Sequence, residues 1–167
     1  HGEFLFGLGI SALSMPTAGV YAGPAFVMEA FYETPSYGIG IAFHVGDADT
    51  DTNDDADFMS LAVGGRYFTS ETDISPLVGT GLALSWLQLD QEDDAFYGDG
   101  RGVSAYAEAG VEFLRLHESR LATTLRVDFP FYAAGADEAY DLVTGMDQSS
   151  NRTRYEVPVS LNIVYFF

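Results

Sequence analysis

The last eleven residues of the chain, VPVSLNIVYFF at 157–167, alternate between two kinds of side chain. On one side lie large apolar groups, namely Val157, Val159, Leu161, Ile163, Tyr165 and Phe167. On the other side lie Pro158, Ser160, Asn162, Val164 and Phe166. Successive side chains of a strand point to opposite faces of its sheet. The segment therefore predicts a β-strand with one strongly apolar face.

The same period of two recurs along the whole chain, and helical periodicity is almost absent. Seven further strands are predicted near residues 3–13, 19–32, 37–47, 57–68, 75–89, 102–115 and 120–132, and the last strand begins near Tyr155. In each strand one face is large and apolar, whereas the other is Gly, Ala and Ser with embedded charges. Small residues with scattered ions suit the inside of a narrow barrel, and a large apolar face points outward stably only in lipid.

Strand length and connections support the same architecture. The predicted strands are long enough to cross the hydrocarbon layer, which takes about 9–11 tilted residues. The connections 33–36, 69–74 and 116–119 are short, whereas 48–56, 90–101 and 133–153 are longer. Short periplasmic turns that alternate with long external loops are typical of outer-membrane barrels. We predict one all-β domain over 1–167, an eight-stranded antiparallel up-and-down transmembrane β-barrel with periplasmic termini.

The composition excludes several classes of function. The 167 residues carry 25 acidic and 7 basic side chains, for a net charge of -18. Phosphate backbones bind clustered Lys and Arg, so nucleic acid is not an expected partner. There is no Cys, which removes disulfides and Cys-ligated metals. The opening residues His1-Gly2-Glu3 have the form expected either of a processed N-terminus or of a chain cut at an artificial boundary.

Two segments resemble a known family. The alternation of Leu161, Ile163, Tyr165 and Phe167 resembles the C-terminal signal that bacterial outer-membrane barrels present to their assembly machinery. SPLVGTGLALSW at 75–86 is similar to the Pro-x-Val-Gly-x-Gly strand of small OmpA/OmpX-type barrels. The resemblance implies location in the bacterial outer membrane, within a lipid bilayer that contains lipopolysaccharide, and the barrel assembly machinery as a partner during biogenesis.

Several charged residues fall on the face that is predicted to line the lumen. They are Glu29, Arg66, Glu108, Glu112, Arg126, Asp128 and Glu156. Buried charges are costly unless they are paired. We therefore expect Arg66 and Arg126 to bridge neighbouring carboxylates, with Glu108 and Glu112 as partners. Such a network would form a polar plug that holds the barrel shut, and the alternative is a narrow path for small cations.

The segment DADTDTNDDAD at 47–57 is the most acidic stretch of the chain. Its residues Asp49, Asp51, Asn53 and Asp57 have an oxygen spacing that suits a hard cation. The glycine and the glutamate of an EF-hand are missing, because Thr52 and Phe58 stand in their places. The alternatives are a weak Ca²⁺ site and a solvated acidic loop, and no other cofactor is predicted.

The acidic residues concentrate at one predicted end of the barrel, in 47–57, 89–100 and 133–153. This end could bridge lipopolysaccharide phosphates through divalent cations or meet a basic partner. The small outward residues Ala105, Ala107 and Ala109 raise the further hypothesis of packing against a protein partner in the membrane, the alternative being ordinary lipid contact.

Catalytic groups are scarce. The three His are the terminal His1, the inward His44 and the turn residue His117, and the one catalytic pairing that can be drawn is His44 with Asp47. An i,i+3 pair on a strand points to opposite faces, so this geometry is weak. We predict a non-enzymatic barrel that acts structurally, or by interaction, through acidic extracellular loops.

Overall fold

The computed structural model describes residues 2–16, 20–49, 55–91, 96–136, 139–140, 147–148 and 153–167. Its long strands are β1 (Glu3–Met15), β2 (Val20–Glu33), β3 (Tyr37–Asp49), β4 (Asp55–Phe68), β5 (Ile74–Gln91), β6 (Phe96–Phe113), β7 (Arg120–Pro130) and β12 (Val159–Phe166). Between β7 and β12 the described residues form four short strands, namely β8 (Ala134–Ala136), β9 (Ala139–Tyr140), β10 (Asp147–Gln148) and β11 (Thr153–Arg154). No helix among the described residues is long and apolar enough to span a bilayer.

The long strands close on themselves. Each of β1 to β6 pairs antiparallel with the next strand, and β12 pairs with β7 on one side and with β1 on the other. At the seam, Phe166 is the Cα partner of both Gly7 and Arg120. Closure leaves no edge with unsatisfied backbone groups, which a structure in lipid requires. The predicted eight-stranded antiparallel barrel is confirmed.

The barrel has two distinct ends. We call the end with the connections 34–36, 69–73 and 114–119 the turn end, and the opposite end the loop end. The turn end is held by local hydrogen bonds such as Thr34 N–H to Tyr37 O at 2.8 Å and His117 N–H to Leu114 O at 2.9 Å. Both β1 and β12 have their outer chain ends, Glu3 and Phe166, at the turn end.

The two faces of the sheet are inverted relative to a water-soluble barrel. Large apolar residues face outward, and Ile10 and Leu82 are 68% and 54% exposed. Small residues such as Ala62 and Ala83 face the lumen and are buried. Near the turn end, the outward face carries an aromatic band that includes Tyr32, Tyr37, Tyr67 and Tyr165. An apolar exterior bordered by aromatic residues is the surface that a barrel presents to lipid.

Lumenal glycines make room for the large lumenal side chains. A Cβ atom on Gly64 would collide with the Tyr106 hydroxyl and with the carbonyl of Thr80. A Cβ atom on Gly79 would press on the Glu108 side chain. Glycine stands at these two positions because groups from nearby strands approach too closely for a side chain.

The strands extend further at the loop end than the sequence predicts. β5 and β6 have 18 residues each, about 60 Å of extended chain, whereas the apolar band of an outer-membrane barrel is about 25 Å tall. Asp55, Asp90 and Asp99, which the predicted loops 48–56 and 90–101 contained, lie in paired strands instead. The loop prediction was wrong here because neighbouring strands continue to satisfy each other's backbone groups beyond the bilayer.

The inverted exterior can be tested by placing a charge at two depths. Replacing Leu82, near mid-strand, with Arg should lower the free energy of unfolding by about 2–4 kcal/mol, because the charge lies near the bilayer midplane. Replacing Tyr37, at the turn end, with Arg should lower it by only about 0–1 kcal/mol. Denaturant unfolding in lipid vesicles measures both, and equal costs would contradict a lipid-facing surface.

Candidate functional site

The middle of the lumen holds a charged cluster around Arg66. The Arg66 guanidinium, on β4, donates through Nε to Glu108 Oε1 and through Nη1 to Glu29 Oε2, both at 2.7 Å. Its Cζ lies 4.3 Å from the centre of the Phe31 ring. All three charged side chains are buried. One guanidinium therefore bridges carboxylates from β2 and β6 across the lumen, in the forked geometry that favours Arg over Lys.

A second cluster, around Arg126, lies beside the first. Asp128, two residues further along β7, accepts from Arg126 Nε at 2.9 Å and from Nη2 at 2.6 Å. The guanidinium lies over the Tyr106 ring, 4.0 Å from its centre. Arg126 Nη1 is also 3.3 Å from His44 Nε2, on the far side of the barrel. Residues two apart on a strand share a face, so β7 supplies both members of this ion pair.

A third cluster closes the turn end. Glu33 Oε1 accepts from Arg120 Nη1 at 2.8 Å and from Arg115 Nη2 at 3.0 Å. Arg120 also contacts Glu112, at 3.4 Å, and Glu3. Arg115 donates further to the carbonyls of Thr34 at 2.9 Å and Ser70 at 3.1 Å. This cluster therefore ties two turns and the start of β1 to the lumen.

The position of Arg115 depends on one unusual backbone angle. Leu114, which directly follows β6, has a φ of 59°. The left-handed region costs a non-glycine residue about 1–2 kcal/mol. The turn it produces directs Arg115 back over the mouth, where the guanidinium lies 3.7 Å from the centre of the Phe68 ring. The hydrogen bonds of Arg115 offset the cost of this conformation.

Buried apolar side chains also occupy the lumen. Towards the loop end they form a cluster of Leu13, Met15, Ala48, Ala56, Phe58, Leu87, Leu89 and Ala134. Nearer the turn end they form a second cluster of Leu5, Val27, Phe31, Ala122, Val164 and Phe166. Ionic and apolar groups thus both occupy the interior. Side chains are packed at mid-barrel, towards the loop end and towards the turn end.

The structure places all seven predicted lumenal residues in buried positions, namely Glu29, Arg66, Glu108, Glu112, Arg126, Asp128 and Glu156. Arg66 meets Glu108, as the sequence predicts. The expected pairing of Glu112 with Arg66 or Arg126 was wrong. Glu112 is opposite Ala122 in the register, a position nearer the turn end, and it contacts Arg120. Arg126 forms its ion pair with Asp128 because Glu108 is already paired with Arg66.

Sequence reasoning missed Glu33, Arg120 and Arg115 as members of the network. Glu33 has the same strand parity as Glu29, and Arg120 the same parity as Arg126, so counting further along each strand would have found both. Arg115 lies three residues after Glu112 and so has the opposite parity. Only the left-handed turn at Leu114 brings it inside, and no sequence signal marks that turn.

The loop end carries an acidic ladder on its outward face. Asp47 is the Cα partner of Asp57, and Asp55 is the Cα partner of Asp90. Asp99, on β6, is exposed in the same region. Like charges directly opposite each other on neighbouring strands are destabilising. A counter-charge that binds this surface would therefore relieve repulsion that is built into the fold.

The predicted Ca²⁺ ligands lie only partly within this ladder. Asp51 and Asn53 fall outside the described residues. Asp57 is exposed on β4, and the backbone of Asp49 pairs with that of Asp55. The described residues contain no group of three or more acidic or His side chains placed to hold a metal ion. The Ca²⁺ site stays a prediction.

The C-terminal strand presents its alternating apolar residues to the outside. Leu161, Ile163, Tyr165 and Phe167 are all exposed, and the backbone of Phe167 pairs with that of Phe6. Their proposed recognition by the assembly machinery stays a prediction.

Comparisons with known proteins agree on the fold. No protein-family model and no curated sequence matches the chain. Neisserial surface protein A (NspA) superposes with a TM-score of 0.69 at 11% identity, over 99% of this chain and 97% of that one. Ail, the attachment invasion locus protein of Yersinia pestis, gives 0.57 at 10% identity, over 99% and 97%. The outer membrane enzyme PagL gives 0.51 at 10% identity, over 96% and 98%. The chain therefore has the fold of the small outer-membrane β-barrels.

The ionic bridge at Arg66 can be tested by removing its partners in turn. Arg66→Met leaves Glu29 and Glu108 buried without their counter-charge, so unfolding should become easier by about 3–5 kcal/mol. Adding Glu29→Gln and Glu108→Gln to the same protein removes the uncompensated charges and should restore most of the loss. Unfolding in lipid vesicles measures both variants. A triple variant no more stable than Arg66→Met would show that charge compensation is not the source of the effect.

Proposed function

We propose that this protein is a non-enzymatic barrel of the bacterial outer membrane, whose role is structural or interactive and is exerted by the acidic loop end. The observation that carries the proposal is the combination of a packed lumen with an acidic ladder at one end. The packed interior provides a rigid support, and the ladder is the most strongly charged feature that this support displays.

The filled lumen supports this role over the alternative of a cation path. Arg66 and Arg126 are buried in ion pairs at mid-barrel, and Leu13 and Phe58 are buried towards the loop end. An ion crossing the barrel would have to displace both kinds of layer. Eight strands enclose little more space than side chains fill.

The placement of the two histidines that the structure describes also favours a non-catalytic role. His44 is 3% exposed and lies against Arg126 inside the lumen, where a lipid or protein substrate would not reach it. His117 lies in a turn, where its Nε2 is 3.3 Å from Asp73 Oδ2 and helps to order the connection. PagL shows that this fold can carry an enzyme, so the proposal rests on these side chains and not on the fold.

The asymmetry of the two ends supports one orientation of the barrel in the membrane. We place the turn end in the periplasm and the acidic loop end outside the cell, as in barrels with short periplasmic turns. The ladder then faces lipopolysaccharide phosphates, which divalent cations such as Ca²⁺ could bridge, or a basic surface on a protein partner. The repulsion between Asp55 and Asp90 makes either form of neutralisation favourable.

The partner role can be tested by extraction from the native membrane in mild detergent. Asp55→Asn combined with Asp90→Asn neutralises one rung of the ladder. Glu71→Gln combined with Glu118→Gln removes the same charge at the turn end. A companion that co-purifies with wild type and with the turn-end variant, but is depleted from the ladder variant, is the expected result. A companion that survives both changes equally would contradict a role for the acidic end.

The packed lumen makes a separate prediction about conductance. Purified barrels in planar lipid bilayers should give no steady single-channel current, because side chains occupy the interior. The current through Arg66→Ala, a variant that lacks the central ionic bridge, is compared with the current through the wild-type protein. Steady cation current through the wild-type protein would favour the transport alternative over a sealed support.

A further inference from the structure

Two grooves lie end to end on the outward surface of β3 to β6. The first, which we call the apolar groove, holds about 440 Å³ and is lined by apolar residues that include Ile41, Leu61, Leu84 and Val103. The second, which we call the mixed recess, holds about 290 Å³, lies nearer the loop end, and is lined by residues that include Met59, Trp86, Asp57 and Asp99. The lining therefore changes from apolar to acidic along the direction that leads out of the bilayer.

The strand register gives the distances between these groups. One row of register partners across β4, β5 and β6 consists of Leu61, Leu84 and Val103. Four residues further towards the loop end, which is about 13 Å of strand, a second row consists of Asp57, Gln88 and Asp99. The Cα atoms of Asp57 and Asp99 are two strand spacings apart, or about 10 Å. A single side chain of a partner therefore fits between these two carboxylates.

The mixed recess places an aromatic ring beside two carboxylates that have no counter-charge. Trp86 lies on β5, between the strands that carry Asp57 and Asp99, and it is 37% exposed. Both carboxylates are exposed, and within the part of the chain that the structure describes neither makes a hydrogen bond or an ion pair. Arg101 is the register partner of Trp86, but it lines neither groove and forms no ion pair with Asp57 or Asp99. The recess therefore suits a cation that is supplied from outside the chain.

The interior of the barrel shows which cation fits such a lining. Arg66, Arg115 and Arg126 each combine an ion pair to a carboxylate with a position over an aromatic ring, at 4.3, 3.7 and 4.0 Å from the ring centres. A planar guanidinium makes both contacts at once, because it stacks on the ring and donates to carboxylates in a fork. The mixed recess repeats the ring and the carboxylates on the outside, without the arginine.

We infer that the mixed recess binds an arginine side chain of a basic partner protein, and that the apolar groove binds an apolar residue next to that arginine. The guanidinium lies on the Trp86 ring and donates to Asp57 and Asp99. A long arginine stem lies along apolar surface while its charged head reaches towards water. An arginine and a leucine one helical turn apart thus cover the distance between the two rows. The inference rests on the proposed function, in which the loop end faces outward and meets a basic partner, and it names the contact which that partner makes.

The experiment uses Trp86 as the reporter, because it is the only Trp of the chain. The purified barrel, in phosphatidylcholine nanodiscs, is titrated with a synthetic helical peptide of Leu, Ala and Arg while the emission of Trp86 is recorded. A second peptide carries citrulline in place of each Arg, which keeps the shape and removes the charge. The arginine peptide should bind about tenfold more tightly than the citrulline peptide, as expected for a charge-assisted contact.

Two double variants separate the recess from the rest of the acidic end. Asp57→Asn combined with Asp99→Asn should weaken binding of the arginine peptide about tenfold and leave the citrulline peptide unchanged. Asp55→Asn combined with Asp90→Asn is the matched control, because it removes the same charge from residues that line neither groove, and it should leave both peptides unchanged. Each variant is first shown to be folded by its heat-dependent shift in gel mobility.

Two results would overturn the inference. Equal binding of the two peptides to wild type would show that the recess does not recognise a guanidinium. Equal weakening of the arginine peptide by the two double variants would show a general attraction to the acidic end. Because the partner test changes Asp55 and Asp90, a depleted companion without a peptide response would reject the recess alone. A selective peptide response with an undepleted companion would reject the role of the ladder alone.

Discussion

The pairing of β1 with β12 is the constraint on which the rest of this structure depends. Lipid offers no hydrogen bonds to backbone N–H and C=O groups, so an open sheet edge is excluded from a bilayer. The chain meets this requirement by bringing its first and last long strands together over the register Gly7–Phe166 to Ser14–Val159. Closure of eight strands makes the interior narrow, and the narrow interior limits the size of the side chains that fit inside it.

The charged side chains of the lumen are a consequence of that narrowness. Glycine at Gly64 and Gly79 lets Tyr106 and Glu108 occupy the shared interior. Each of Arg66, Arg115 and Arg126 combines a carboxylate with an aromatic ring, at 4.3, 3.7 and 4.0 Å from the ring centres. The planar guanidinium suits both contacts at once, which Lys would not. The absence of Lys from the chain is consistent with this use of its basic residues inside the barrel.

The predictability of the fold and of the site follows from strand parity. Period-two alternation reports the face on which a residue lies, so it identified the eight strands and placed Glu29, Arg66 and Arg126 inside. Alternation carries no information about which carboxylate an arginine meets across the lumen, and the partners of Glu112 and Arg126 were wrongly predicted for that reason. The alternation also ends where a strand ends, so it could not place Arg115, which lies in a turn. The strand ends at the loop end were underestimated because acidic residues such as Asp55 and Asp90 favour loops in isolation, whereas here they lie in a ladder that their neighbours already pair.

The central bridge has a consequence for the way in which the barrel forms. Arg66 lies 37 residues from Glu29 and 42 from Glu108, and Arg120 lies 87 from Glu33. A single hairpin therefore cannot neutralise Glu29, Arg66 or Glu33, because these pairs join strands that are distant along the chain. Contacts of such high sequence separation form late and slowly. A partly closed sheet would expose unpaired charges to lipid, at a cost of several kcal/mol per ion. Insertion and closure should thus occur as one cooperative event, and incomplete barrels are poorly populated.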